Sequence, residues 1–327
     1  MDCNLSFSDF FKSILKEIDD VSLDNCIISI FIEIPRIDLI DIYGDLIEDY
    51  SFSSFWEDSN QISYLALGKC ESLNYEGTNK FKFAKQFNDQ IFKKLTSINL
   101  HFKKIFFPKI IYFFSFDDNK IKNSPYKSIP SFEAVLPKFF IIKDKKNTYM
   151  SMNIKLIDKS NIRELIEEFW NLRKRILSNK KFNFIDKSKK LNQDSFLELL
   201  DQSRNSLSEK IHRGIKLINE DILQKIVIGS RLTLKANNGL NLVSILKKLR
   251  LNHPNSCKYV WKRNSQDITF GASPEKLFSF NNNLLSLEAV AGTAPSSFDK
   301  KILLKSKKDL LEHNFVKDYL FKCLDDL

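Results

Sequence analysis

Four short segments in the second half of the chain carry side chains that could take part in acid–base chemistry. Lys225 supplies an amine, which becomes a useful base when burial or a nearby cation favours its neutral form. Glu275 and Glu312 supply carboxyl groups, which can donate a proton or bind a hard cation. Gly292 lacks a Cβ atom, so the backbone beside Thr293 can approach a ligand closely.

Each of these residues also has an ordinary structural explanation. A lysine that begins an apolar run, as Lys225 does, is usually exposed at the end of a strand. A glutamate after Ser-Pro, such as Glu275, is most often solvated in a turn, and a Gly-Thr pair is more often a structural bend than a ligand contact. Glu312 beside His313 would by default lie on a solvated helix face. Residue type alone therefore leaves their roles open.

The hydrophobic pattern predicts the elements that position these side chains. Residues 225–231 are predicted to form a strand, with Lys225 at its start. A helix is predicted at 242–249, and a strand at 267–270 that leads into the Gly-Ala-Ser-Pro-Glu segment 271–275. Residues 277–291 are predicted to form a hairpin, and the last 20 or so residues a helix that carries Glu312.

The first half is predicted to form an antiparallel sheet with open edges. Its strand-like runs are closed or interrupted by Pro35, Gly68 and Pro137, and they cover residues 26–34, 62–67, 109–116 and 132–142. Two helices are expected next, beginning at Asn161 and at about residue 195, with the polar stretch 178–190 as a linker between them.

Composition limits the class of protein. The 327 residues include 43% hydrophobic residues, which is typical of a folded globular chain. The formal net charge is +10, but the basic residues are mostly lysines spread along the chain, without an Arg-rich stripe, so we do not expect a nucleic-acid partner. No apolar run approaches the roughly 18 to 20 residues of a membrane span, and the N-terminus does not resemble a secretory signal, so we expect a cytoplasmic protein without membrane partners.

Cysteine and histidine give no sign of a structural metal or a disulfide framework. The five cysteines are scattered and never form a C-x-x-C pair, and the four histidines have no metal-ligand spacing. We interpret the cysteines as reduced thiols, most of them packed.

Four motifs in order resemble the chorismate-utilising enzymes. Residues 224–231 read Q-K-I-V-I-G-S-R, similar to that family's K-V-V-L-(A/S)-R strand, and residues 270–277 read F-G-A-S-P-E-K-L. Residues 288–295 read E-A-V-A-G-T-A-P, and residues 306–316 read S-K-K-D-L-L-E-H-N-F-V, similar to S-x-K-D-x-x-E-H-x-x-V. The lysine variant of the first motif resembles isochorismate synthase, which implies an α+β fold of stacked antiparallel sheets flanked by helices.

The resemblance implies a magnesium-dependent conversion of chorismate to isochorismate, with water added at C2 and the C4 hydroxyl lost. Lys225 then matches the catalytic general base and Glu275 the general acid. Glu312 matches a magnesium ligand, and the substrate-binding segment comprises Ala291, Gly292 and Thr293. Ammonia-using relatives typically carry Gln at the position of Lys225 or Lys at that of Ala291, so both positions favour water as the nucleophile.

The chain departs from the family pattern after its last motif. The family's H-P-T-P and A-G-A-G-I-V segments, a carboxylate-binding arginine and a second magnesium-binding glutamate are not found, so we expect a fold that is incomplete at the C-terminus. We predict an N-terminal α+β subdomain at 1–180 and a chorismate-binding catalytic region at 181–327.

Two alternatives remain open beside isochorismate synthase. A salicylate synthase shares the lysine and the glutamates, and a truncated, non-catalytic remnant of the family would keep the motifs without the activity. An isochorismate product would serve menaquinone, phylloquinone, siderophore or salicylate synthesis. The sequence does not predict the oligomeric state.

Overall fold

The computed structural model describes residues 6–19, 26–99, 108–116, 118, 128–156, 160–178, 193–229, 231–232, 240–295, 297 and 300–325. The helices are α1 (Phe7–Asp19), α2 (Leu39–Leu46), α3 (Lys80–Lys93), α4 (Ile162–Ser178), α5 (Gln193–Asn219), α6 (Leu242–Asn252), α7 (Lys300–Lys305) and α8 (Lys307–Asp325). The strands are β1 (Cys26–Ile34), β2 (Ser53–Glu57), β3 (Ser63–Tyr75), β4 (Leu95–Asn99), β5 (Ile111–Phe114), β6 (Phe132–Lys143), β7 (Thr148–Leu156), β8 (Cys257–Lys262), β9 (Ile268–Ser273), β10 (Ser279–Asn281) and β11 (Leu284–Ser286). The predicted α+β class is confirmed.

Nine of these strands form one sheet, in the order β4-β1-β7-β6-β3-β2-β8-β9, with β5 paired to the first half of β6. The pairs are antiparallel, as predicted, except for the parallel pair of β1 and β4. Strands β8 and β9 lie in the predicted C-terminal region, yet β8 pairs with β2 of the predicted N-terminal subdomain. The division at residue 180 stays a prediction, and the predicted linker after Ser178 lies outside the described residues.

The sheet runs through two positions where the sequence predicted a break. Strand β3 continues past Gly68, which adopts a φ of +64°, as far as Tyr75. Strand β6 is continuous through Pro137, which lies opposite Lys69, where the register shifts. Proline has no N–H group to donate to a neighbouring strand. A β-bulge tolerates this lack because it leaves one residue of the partner strand out of the hydrogen-bonded ladder. The break predicted at each residue was therefore wrong, since β3 and β6 stay paired on both sides of this irregularity.

The hydrophobic core lies on both faces of this sheet. Helices α1, α2, α4 and α6 cover one face, where Ile28 and Ile30 of β1 belong to the largest buried cluster. Helix α3 covers part of the other face with Phe87 and Ile91, which pack against a smaller cluster that includes Ile27. The alternation of Ile27 and Ile28 between the two clusters follows from the two-residue period of a strand.

The residues that follow β9 are less enclosed than the sheet. The predicted hairpin is confirmed as β10 and β11, although it is shorter than expected, and Asn282 and Asn283 at its tip adopt positive φ angles that suit a two-residue turn. Helix α8 is confirmed, but none of its residues is buried. Within the described part of the chain, no helix is long and apolar enough to cross a membrane.

The strand predicted at 225–231 was wrong for the residues that the structure describes. Residues 225–229 have no strand conformation. Val227 is 84% exposed, and Ile226 is 43% exposed. A strand requires a partner with which to form its ladder, and this segment instead packs against α5, where a Cβ atom on Gly214 would lie 3.2 Å from Ile226 Cγ2.

Candidate active site

Helix α8 begins at a capped turn that positions two acidic side chains. The Ser306 hydroxyl accepts a hydrogen bond from the backbone N–H of Asp309 at 3.3 Å, and the Ser306 carbonyl accepts one from Leu310 at 3.0 Å. Serine is favoured at this position because its side chain satisfies an N–H group that the helix leaves unpaired. Asp309 and Glu312, three residues apart, therefore lie on one side of the first turns of α8.

The structure brings Lys225 and Glu312 together. The Lys225 Nζ atom lies 3.4 Å from Glu312 Oε1, and the two side chains are 34% and 39% exposed. The pair therefore joins the segment after α5 to α8 and leaves both groups accessible to a small molecule. The Lys225 amine is thus paired with a carboxylate at a partly open surface.

The bend at residues 291–293 packs against the same helix. Gly292 has a φ of +84°, a backbone conformation that residues with a Cβ atom rarely adopt. A Cβ atom on Gly292 would lie 3.3 Å from Asp309 Oδ1, so the missing side chain also allows the close approach to α8. Ala291 is partly buried and Thr293 is exposed. Three of the four predicted segments therefore meet at the start of α8.

Glu275 lies elsewhere, at the mouth of an aromatic cleft. Glu275 follows β9. The Ser273 hydroxyl donates a hydrogen bond of 3.0 Å to the backbone carbonyl of Glu275, and this bond holds the turn around Pro274. The cleft has a volume of about 760 Å³, and Glu275 is among its lining residues, whereas Lys225 and Glu312 are not. The predicted roles of Lys225 as base and Glu275 as acid stay predictions, because the described residues do not place the two side chains around one cavity.

A row of aromatic side chains on three strands, β3, β2 and β8, lines this cleft. Tyr64 on β3 is opposite Trp56 on β2, which is opposite Tyr259 on β8, and Tyr259 is opposite Gly271 on β9. The Trp56 and Tyr64 rings stack, with centroids 5.1 Å apart. The Tyr259 ring lies over Gly271, where a Cβ atom would be 2.9 Å from its hydroxyl oxygen.

The sequence reasoning missed this aromatic row. The alignment of Tyr64, Trp56 and Tyr259 depends on the register of two strand pairs, which a single sequence does not give. Cys257 also lines the cleft. Burial raises the pKa of its thiol to about 12, so the sulfur is not a thiolate nucleophile at neutral pH.

Glu312 is the residue that the sequence predicted as a magnesium ligand, and this role stays a prediction. The described residues contain no cluster of three or more His, Cys, Asp or Glu side chains that could hold a metal. Magnesium, however, is commonly bound by one or two carboxylates, together with water and oxygen atoms of an anionic substrate. The partly exposed Glu312 carboxylate fits the role of one such ligand.

Parts of this chain are similar in sequence to known proteins. Isochorismate synthase MenF of Haemophilus influenzae is 25% identical over 189 residues, which cover 55% of this chain and 41% of that protein. Anthranilate synthase component 1 of Lactococcus lactis is 26% identical over 123 residues, which cover 36% of this chain and 26% of that protein. The chain thus matches less than half the length of these curated relatives.

The fold has a known counterpart. The structure of MenF, the menaquinone-specific isochorismate synthase from Escherichia coli, superposes with a TM-score of 0.56 at 14% identity, over 96% of this chain and 68% of that chain. The pattern of the chorismate binding enzyme family matches residues 14–327. The resemblance predicted from the four motifs is thereby confirmed, and the chain belongs to the chorismate binding enzyme family.

Proposed function

We propose that this chain acts as an isochorismate synthase, which adds water at C2 of chorismate while the C4 hydroxyl leaves. The observation that carries the proposal is the pairing of Lys225 with Glu312 beside the Gly292 bend. These are the residues that the family motifs assign to base, metal ligand and substrate contact. The similarity to an isochorismate synthase supports this reaction, and lysine at position 225 favours water over ammonia.

The proposed step is balanced by two proton transfers. Lys225 accepts a proton from the attacking water as its oxygen bonds to C2, and the ring double bonds shift. Glu275 donates a proton to the C4 hydroxyl, which leaves as water, so the product is an isomer of the substrate. Base and acid act at C2 and C4 of one ring, so the step requires Lys225 and Glu275 to reach the same bound chorismate.

Glu312 has two partners in this proposal. In the described arrangement it pairs with the Lys225 amine at 3.4 Å. As a ligand of Mg²⁺ it would hold the cation that neutralises a substrate carboxylate and the charge developing during reaction. The change of partner would leave the Lys225 amine free to contact water. The backbone at Gly292 would lie against the substrate, where a side chain would block the approach.

The test is to incubate the purified chain with chorismate and Mg²⁺ and to separate the products by chromatography. We expect isochorismate, and we expect Lys225→Ala and Glu275→Gln each to lower the rate by about two to four orders of magnitude. The matched controls are Lys216→Ala and Glu220→Gln, which make the same chemical changes in an exposed ion pair between the last turn of α5 and the residue that follows it. These controls should keep the rate of the unmodified chain.

Other products would point to other readings of the same motifs. Salicylate with pyruvate would indicate the salicylate synthase alternative, and anthranilate formed with ammonia would indicate the activity that the Lactococcus lactis relative is named for. A folded sample that forms no product from chorismate would contradict the proposal and favour the non-catalytic remnant. Because the similar Escherichia coli enzyme is named as menaquinone-specific, we propose menaquinone synthesis as the use of an isochorismate product.

A further inference from the structure

The segment that carries Lys225 rests on a glycine of helix α5. Gly214 is buried, and a Cβ atom at this position would lie 3.2 Å from Ile226 Cγ2 and 3.4 Å from Ile228 Cδ1. Both distances are at or below ordinary van der Waals contact, so even a methyl group at residue 214 would push against the segment. Ile226 directly follows Lys225, so a backbone shift that relieves this contact would also move the lysine.

The helix itself does not need glycine at this position. Gly214 lies in the interior of α5, where alanine is the more favourable residue because glycine has more backbone freedom to lose. Its φ is not among the positive values found for Gly68, Gly77 and Gly292. The close contact with Ile226 and Ile228 is thus the physical reason for a glycine here.

We propose that Gly214 is a positioning residue for Lys225. Its missing side chain lets residues 226–228 lie directly on α5, and this contact sets the place of the Lys225 amine 3.4 Å from Glu312. The inference deepens the proposed function, because Lys225 is the base of that proposal. The placement of the amine is nevertheless measurable without turnover, so the two can fail separately.

The first measurement is a zero-length carbodiimide cross-link between the Lys225 amine and the Glu312 carboxylate, quantified by peptide mass spectrometry. We expect Gly214→Ala to lower the yield several-fold and Gly214→Val to lower it further. The matched control is Gly229→Ala in the same segment, since a Cβ atom there has no neighbour within 4 Å. It should keep the yield of the unmodified chain. Glu312→Gln should abolish the product and thereby verify its assignment.

A loss of folding would also lower the cross-link yield. The melting temperature and a rescue variant distinguish it from a displaced Lys225. Gly214→Ala should melt at or above the temperature of the unmodified chain, because alanine favours the helix. Ile226→Ala removes the methyl group that the new Cβ atom meets, so the double variant Gly214→Ala/Ile226→Ala should recover cross-link yield. An unchanged yield in both Gly214 variants, or a loss equal to that of Gly229→Ala, would overturn the proposal. So would a loss that appears only when melting falls and that the double variant does not recover.

Measurements of turnover distinguish the positioning role of Gly214 from the reaction proposed for Lys225. If isochorismate forms, Gly214→Ala should lower kcat by about one to two orders of magnitude with little change in KM, because a misplaced base affects the chemical step. If no isochorismate forms but the cross-link falls as predicted, the proposed function fails while the positioning role of Gly214 stands. A normal kcat together with a lowered cross-link would overturn the claim that this contact serves the reaction.

Discussion

Removal of Arg250, which links the strand that carries Trp56 to two helices, is predicted to destabilise the chain strongly. Its guanidinium donates to both oxygens of Glu57 at 2.8 and 2.6 Å and to both oxygens of Asp38 at 2.5 and 3.0 Å. Glu57 ends β2, the strand that carries Trp56 of the aromatic row, and Asp38 caps α2. One side chain on α6 therefore joins the sheet to two helices.

The expected loss follows from the burial of the two carboxylates. The Glu57 side chain is 3% exposed, and a buried charge left without its partner costs about 3 kcal/mol. The Asp38 side chain is 33% exposed, so its part is nearer that of a surface pair, at about 0.5 to 1 kcal/mol. Arg250→Met keeps most of the apolar stem and should lower the free energy of unfolding by about 3 to 4 kcal/mol.

The assay is urea unfolding followed by circular dichroism, with the midpoints compared at equal slope. Lys247→Met is the matched control on the same helix, because Lys247 and its partner Asp41 are 44% and 43% exposed, and it should cost less than about 1 kcal/mol. Adding Glu57→Gln to Arg250→Met should recover part of the loss, since the buried charge is then gone. A loss for Arg250→Met as small as that of the control would refute the reasoning.

Three more outcomes are expected. Burial alone would raise the pKa of Asp38, but the hydrogen bonds and charge of Arg250 hold that pKa below its usual 3.8. The ionised Asp38 carboxylate therefore stabilises the fold above about pH 4, and this contribution is lost as the pH falls through the lower folded-state pKa. Asp38→Asn should therefore flatten the fall of the urea midpoint below about pH 4, and an equally steep fall would count against this. Gly271→Ala should destabilise the chain by about 1 kcal/mol or more because the Tyr259 ring must move, and Tyr259→Ala in the same chain should recover part of that loss; additive effects would argue against the contact. At pH 8 iodoacetamide should modify the Cys257 thiol, whose pKa burial raises to about 12, far more slowly than the exposed Cys323, and equal rates in the folded chain would contradict this.

Sequence pattern was most reliable where a segment is buried on one face or capped. The run at 26–34 became β1 with the predicted bounds, and Asn161 precedes α4 as expected from its capping position. The hairpin around Asn282 and Asn283 was also predicted, because local turn chemistry depends on neighbouring residues alone.

Prediction failed where an element depends on a partner distant in the chain. Residues 225–229 have a strand pattern but no paired strand in the described structure, and they pack on α5 instead. Pro137 and Gly68 looked like strand ends, but they lie in one bulged region of the pair formed by β3 and β6. In each case the outcome depends on which segments meet, and local propensity does not contain that information.

For the candidate site, the sequence by itself determined the residue types and their order: an amine, two carboxylates and a small-residue bend in four motifs that identify the family. Tertiary structure alone decided that Lys225 meets Glu312, that Gly292 packs against Asp309, and that Glu275 lies at a cleft lined by aromatic side chains. The residues of a motif are close together in the chain, so a motif can be recognised from the sequence alone. Distances between residues far apart in the chain depend on strand register and on contacts such as that of Gly214 with Ile226, which only the packed chain fixes.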